Sequence, residues 1–96
     1  MAKKLWSILT DDLDHCMYTQ RTPVERHHVF GGACRAKSER YGFIAPLSPE
    51  LHPNGVHAIP ASAAIDMELK QRCQRYYERV YGTREQFIAE FIRSYL

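Results

Sequence analysis

The chain lacks the features that would settle its class at once. Among 96 residues there are three cysteines, one tryptophan, five glycines and five prolines, and the formal net charge is only +2. Cys16, Cys34 and Cys73 are an odd count at wide spacing, so no disulfide framework follows and a reducing compartment is the simpler setting. The weak charge permits contact with a polyanion but is not the strongly basic footprint of a dedicated nucleic-acid-binding domain. After Lys3-Lys4, the only apolar run near the start is Leu5-Trp6-Ser7-Ile8-Leu9. That is too short for a signal-peptide core or a membrane span, so a soluble cytoplasmic protein with no membrane partner is expected. There is no internal repeat and no low-complexity tract. With 45% hydrophobic and 25% charged residues the composition is globular, not disordered. The length suits one domain, residues 1–96, with a small core.

What the chain does have is histidine in one place. Four of its five histidines, His27, His28, His52 and His57, fall in the middle of the chain. Imidazole is the commonest metal ligand and the side chain best suited to move protons near neutral pH. Taken singly, each reads as a solvated strand residue or a turn residue. Four in one window, flanking two turns, read as a site. Three of them could hold a divalent ion such as zinc, nickel or manganese, leaving the fourth as a base that activates water.

Around these histidines the pattern predicts an α+β fold. Residues 5–10 alternate loosely and suit a short strand. Residues 24–30 read as a strand, with Val24, Arg26 and His28 on one face and Glu25, His27 and Val29 on the other. The adjacent histidines therefore point apart, and one metal cannot easily take both. Gly31-Gly32 ends the strand, and residues 33–40 are polar and basic, a loop or a single helical turn. A second short strand lies within residues 41–47. Residues 48–60 carry Pro49, Pro53, Gly55 and Pro60 and form a structured loop. The last third is helical. Ile65, Leu69, Cys73, Tyr76 and Val80 recur in steps of three and four, with Ser62 as the expected N-cap and Gly82 just past the end. Thr83-Arg84-Glu85-Gln86 matches a capping box that opens a second helix with Phe87, Ile88, Phe91, Ile92 and Tyr95 as its buried stripe.

Glu25-Arg26-His27-His28-Val29-Phe30-Gly31-Gly32, the basic segment from Arg35 to Arg40, Tyr41-Gly42-Phe43 and Leu51-His52-Pro53-Asn54-Gly55-Val56-His57 together resemble the HNH (His-Me finger) endonuclease superfamily. The resemblance is to its small bacteriophage and prophage members, and the C-terminal Gly82 to Ile88 stretch with Tyr95-Leu96 shares it. It implies a short β-hairpin ββα-metal finger over about residues 16–60, packed on two C-terminal helices over about 62–96. It also implies phosphodiester hydrolysis in DNA or RNA. By position, His28 would be the general base, and His27, His52 and His57 would hold one divalent ion, Mg, Mn, Zn or Ni. The chain departs from the pattern in three places. His52 and His57 are five apart across Pro53 and Gly55, so they cannot share one helix face. No polar residue near Gly42-Phe43 is available to orient His28. The positions of the two Cys-x-x-Cys pairs of many relatives read Cys16, Thr19, Ser48 and Leu51, so no Cys-ligated structural zinc is expected.

Arg35, Lys37 and Arg40, beside the Gly-Gly turn, are the candidate phosphate contacts. Lys70, Arg72, Arg75, Arg79 and Arg84 read instead as solvated helix faces, paired with Glu39, Glu68, Glu78 and Glu85. The aromatics Tyr76, Tyr77, Tyr81, Phe87, Phe91 and Tyr95 read as core or as a subunit contact, not as a base-stacking platform. Cys34 reads as an ordinary thiol. Two other functions stay open: a nucleic-acid-binding module without cleavage, and a phage interaction protein whose partner is a second copy or another phage protein.

Overall fold

The structure, a computed structural model, describes residues 4–96 and is α+β. In chain order it has β1 (Glu25–His28), α1 (Arg35–Tyr41), β2 (Ile44–Leu47), α2 (Ala61–Val80) and α3 (Arg84–Phe91). The two strands pair antiparallel, with Glu25 opposite Leu47, Arg26 opposite Pro46, His27 opposite Ala45 and His28 opposite Ile44. Val29 extends the ladder by donating its N–H to the Phe43 carbonyl at 3.0 Å. Among the described residues, no helix is long and apolar enough to cross a membrane.

The strand connection contains a helix where the sequence suggests a loop or a single turn. A 3-10 turn at Gly32–Cys34 leads into the two turns of α1. Its docking depends on Ser38. The Ser38 hydroxyl donates to the Phe30 carbonyl at 2.7 Å and accepts from the Phe30 N–H at 3.0 Å, while the Ser38 carbonyl takes the Phe43 N–H at 2.8 Å. One buried residue thus closes the ends of both strands onto α1.

Residues 5–10 are not a strand. Ser7 uses its hydroxyl, not its backbone, to reach the Ile44 carbonyl at 2.6 Å, and only Ile8 makes a backbone bond to the hairpin, to Gly42 at 2.8 Å. Trp6 lies over Gly42, which adopts φ +74 to end α1. α2 begins earlier than expected: Pro60 is at the N-cap, and Ser62 is buried inside the first turn. Gly82 does follow the end of α2, and its N–H bonds the Tyr77 carbonyl at 3.1 Å. The capping box of α3 is formed in full, with the Gln86 N–H on Thr83 Oγ1 at 3.1 Å and the Thr83 N–H on Gln86 Oε1 at 2.7 Å. The expected stripe is only partly buried. Phe87 and Phe91 enter the core, but the helix stops at Phe91 and the positive φ of Ile92 turns it out to 70% exposure.

The core is largely aromatic. Phe30 meets Phe43, Phe87 and Phe91 with ring centroids 4.7–5.8 Å apart, and Tyr41 and Tyr77 pack at its edge. The two tyrosine hydroxyls converge on Glu90, Tyr41 at 2.7 Å and Tyr77 at 2.6 Å, and Lys37 donates to the Glu90 carbonyl at 2.6 Å. Burial pushes the Tyr77 hydroxyl up, and the Glu90 carboxylate pushes it the same way. For Glu90, burial acts upward, yet the tyrosine hydrogen bonds and the Lys37 and Arg40 charges outweigh it and hold the carboxyl below its ordinary value. α1, α2 and α3 are thereby tied at one residue.

A Cβ at residue 42 would lie 2.8–2.9 Å from three atoms of the Trp6 indole. Gly42→Ala therefore combines left-handed strain with displacement of the ring. It is expected to destabilise the fold by about 1–3 kcal/mol, read from the urea midpoint. An unchanged midpoint would show that Trp6 contributes nothing to holding the N-terminal segment.

Candidate functional site

β1 is covered on both sides, and this determines the surroundings of its histidines. His27 and His28 point to opposite faces, as strand geometry requires, and both are buried, at 4% and 8% exposure. On one face His28 meets α1: its Nε2 lies 2.8 Å from Glu39 Oε2. On the other, His27 meets α2, with its Nε2 3.4 Å from Asp66 Oδ1. Glu25 lies on the His27 face of β1, and its Oε1 stands 2.6 Å from His52 Nδ1. The His27 and His52 rings meet edge to face with centroids 5.0 Å apart.

The Glu25–His52 contact is close but misaligned. Both atoms are buried, and neither makes a hydrogen bond of acceptable geometry. At this distance the two atoms are paired by charge, so neither stands without a partner. Gly55 lies directly against the pair: a Cβ there would stand 3.2 Å from Glu25 Oε1 and 3.3 Å from His52 Nδ1. Asp66 is polarised from two sides. Burial acts to raise its pKa, but the His27 hydrogen bond and the Lys70 ammonium together outweigh it, so the carboxyl is held below its ordinary value.

The four histidines are thus divided. His27 and His52 stand together with Glu25 and Asp66. His28 is on the far side of the strand with Glu39. His57 is exposed on the turn after Gly55 and makes no hydrogen bond, ion pair or ring contact among the described residues. Nor do any three His, Cys, Asp or Glu side chains among the described residues surround a common point. The donors therefore do not form the His27–His52–His57 cage that the sequence suggests. Two carboxylates and two imidazoles stand here as separate pairs, Glu25 with His52 and Asp66 with His27, and Asp66 is also engaged by Lys70, so they do not converge as the donor set of one divalent ion. A zinc cage needs more converging nitrogen or sulfur donors than these pairs supply.

The basic candidates also differ from one another. Lys37 is committed to the Glu90 carbonyl and holds α3. Arg40 is exposed and close enough to Glu90 to lower its carboxyl. Arg35 is exposed at the first turn of α1. Cys34 is buried with its thiol toward the Glu90 carbonyl, 3.8 Å away.

Cys16, Thr19, Ser48 and Leu51 lie together. Thr19 Oγ1 and Ser48 Oγ are 2.8 Å apart, the Thr19 N–H points to Cys16 Sγ at 3.4 Å, and Leu51 belongs to the same buried cluster as Cys16. Burial works to raise the Cys16 thiol, yet hydrogen bonds from Ser48 and Thr19 bring it down to about 7. Comparison with protein-family models, with curated proteins and with solved structures finds no match to the chain.

Sequence reasoning misses Glu39 and Asp66 and gives no role to Glu25. Among the basic residues of its segment, Glu39 reads as a surface charge. A signal is present all the same: it is the only acidic residue between Arg35 and Arg40. Asp66 can be placed only once α2 is known to cross the His27 face.

Because Asp66 is held below the ordinary carboxyl value of 3.8, the native state binds fewer protons there than the unfolded chain. Its contribution is present above that value and is lost as pH falls through the folded one. Asp66→Asn should therefore be less stable than wild type above the ordinary carboxyl value of 3.8, with the difference shrinking as pH falls below it, in thermal melts across that range. A constant difference at every pH would contradict the His27–Asp66–Lys70 linkage.

Proposed function

We propose that the chain is a metal-dependent endonuclease that hydrolyses phosphodiester bonds in DNA, with RNA as a further substrate. The observation that carries this is the division of contacts across β1, a His–Glu pair on one face and paired imidazoles and carboxylates on the other. The resemblance to HNH proteins implies that division.

His28 is the base. With Nε2–H donating to Glu39, its Nδ1 carries the lone pair, and the carboxylate stabilises the imidazolium that forms when that nitrogen takes a proton. Glu39 thereby fills the orienting role for which the sequence offers no candidate near Gly42-Phe43. The proton comes from water as its oxygen bonds to phosphorus. The bond from phosphorus to the leaving sugar oxygen breaks, and that oxygen is protonated from solvent. On the other face the pairs Glu25–His52 and His27–Asp66 are the candidate donors to a divalent ion; no three of them converge on one point among the described residues, and His57 stands apart from both pairs.

A second reading, nucleic-acid binding without cleavage, is favoured by the burial of both strand histidines and by the lack of three converging donors among the described residues.

Plasmid nicking in Mg²⁺ or Mn²⁺ separates the two. His28→Ala should lower the rate by about 10²–10⁴-fold, the usual worth of a general base, with Mn²⁺ affinity unchanged. Glu39→Gln should lower it by roughly 10–100-fold. Wild-type protein that binds DNA and metal but never nicks would leave the binding module as the function. Loss of Mn²⁺ binding in His28→Ala would make His28 a ligand and overturn its role as base.

A further inference from the structure

On the far side of α2 from the histidines, Arg72, Arg75 and Arg79 line one wall of a groove of about 320 Å³, with Tyr76 between them and Ile8 and Leu9 opposite. At 100° per residue these arginines lie roughly 180–240° around the helix from Asp66, spread over about 10.5 Å of its axis. All three are exposed. Like charges three and four residues apart destabilise a helix unless something compensates them. Two of the carboxylates that the sequence pairs with these charges are engaged elsewhere. Glu39 is on His28, and Glu78 takes Arg84 at 3.1 Å and Gln74 at 2.8 Å. None of the ion pairs among the described residues involves Arg72, Arg75 or Arg79. The contacts they do make leave their charge in place: Arg72 lies beside the Tyr18 hydroxyl, and the Arg79 guanidinium sits 5.3 Å over the Tyr76 ring. Glu68, one turn before Arg72, acts on the same Tyr18 hydroxyl but forms no ion pair with the arginines among the described residues, so this face is less charge-paired than the sequence suggests.

We propose that the groove is an anchoring site for the sugar–phosphate backbone of a nucleic-acid strand, separate from the site of cleavage. This rests on the phosphodiester reading of the histidine face. Guanidinium groups make forked hydrogen bonds to phosphate oxygens. A nucleic-acid strand offers such oxygens at regular intervals whatever its sequence, whereas an acidic peptide must bring three carboxylates into register. Ile8 and Leu9 form an apolar wall against which a sugar can rest. Because the arginines and Asp66 lie on opposite sides of α2, the anchored segment flanks the reacting phosphate and the arginines touch no reacting atom. They raise affinity and leave the chemical step alone.

The test is binding of a labelled DNA duplex by the full chain in EDTA across a salt series, comparing wild type with Arg72→Glu/Arg75→Glu/Arg79→Glu and with the corresponding triple lysine variant. The three positions are exposed, and circular dichroism checks that both variants fold. The glutamate variant should bind at least about tenfold more weakly near 0.1 M salt. Its slope of log affinity against log salt should be shallower by about 2.7, at about 0.9 for each phosphate that is no longer neutralised. The lysine variant should keep most of the slope. In nicking assays, the glutamate variant should raise KM and leave kcat near the wild-type value. An unchanged slope and affinity in the glutamate variant would overturn the groove while leaving the nuclease reading intact. Weaker binding by the glutamate variant, with a wild type that never nicks, would remove the nuclease reading and keep the groove. Unaltered DNA binding with lost binding to polyglutamate would make the groove a site for an acidic peptide and overturn the proposal.

Discussion

The arrangement depends on the Ser38 hydroxyl. It donates to the carbonyl of Phe30 and accepts from the N–H of the same residue. Both backbone groups lie beyond the end of β1, where the ladder no longer serves them, and Phe30 is buried at 3% exposure. Left without partners, each would cost about 1–3 kcal/mol, a large share of what a chain of this size has in reserve. The same bonds place α1 against β1. Glu39, the next residue, is thereby brought to His28. A contact whose evident purpose is to close a strand end also delivers the carboxylate on which the proposed base relies.

The other face of β1 is set by a different constraint. α2 is long enough to cross the hairpin, and its core stripe of Leu69, Cys73 and Tyr77 brings Asp66 to His27. The turn through Asn54 and Gly55 returns His52 to Glu25, and the missing side chain at Gly55 leaves room there. Charges and imidazoles on this face are arranged in pairs and not as a converging donor set.

How far the sequence discloses this follows from how local each determinant is. The Thr83–Gln86 capping box, Gly82 beyond α2 and the opposed faces of His27 and His28 all rest on neighbours a few residues apart, and all three are present in the structure. The strands and the C-terminal helices are legible from period and turn chemistry, whereas the hairpin packed on those helices is what the resemblance implies, and the structure has it. The conformation of residues 5–10 is not, because Ser7 replaces a ladder bond with a side-chain bond to a residue 37 positions away. Periodicity misplaces Ile92 because the helical pattern continues through it while its backbone does not. Glu39, Asp66 and Glu25 are invisible as site residues for a related reason: each gains its meaning from a partner 11 to 39 positions distant. His57, adjacent in sequence to a tight turn, looks like a ligand but lies on the exposed side of it.

The central proposal is that β1 separates a candidate cation-binding face, with His27 and His52, from the face of the proposed base, His28. Titration with Mn²⁺, followed through the imidazole nitrogen resonances of the five histidines, tests it most directly. His27 and His52 should broaden first, at substoichiometric ion, with His57 and His15 still sharp. Broadening that begins at His57, or that affects all five rings alike, would contradict the claim.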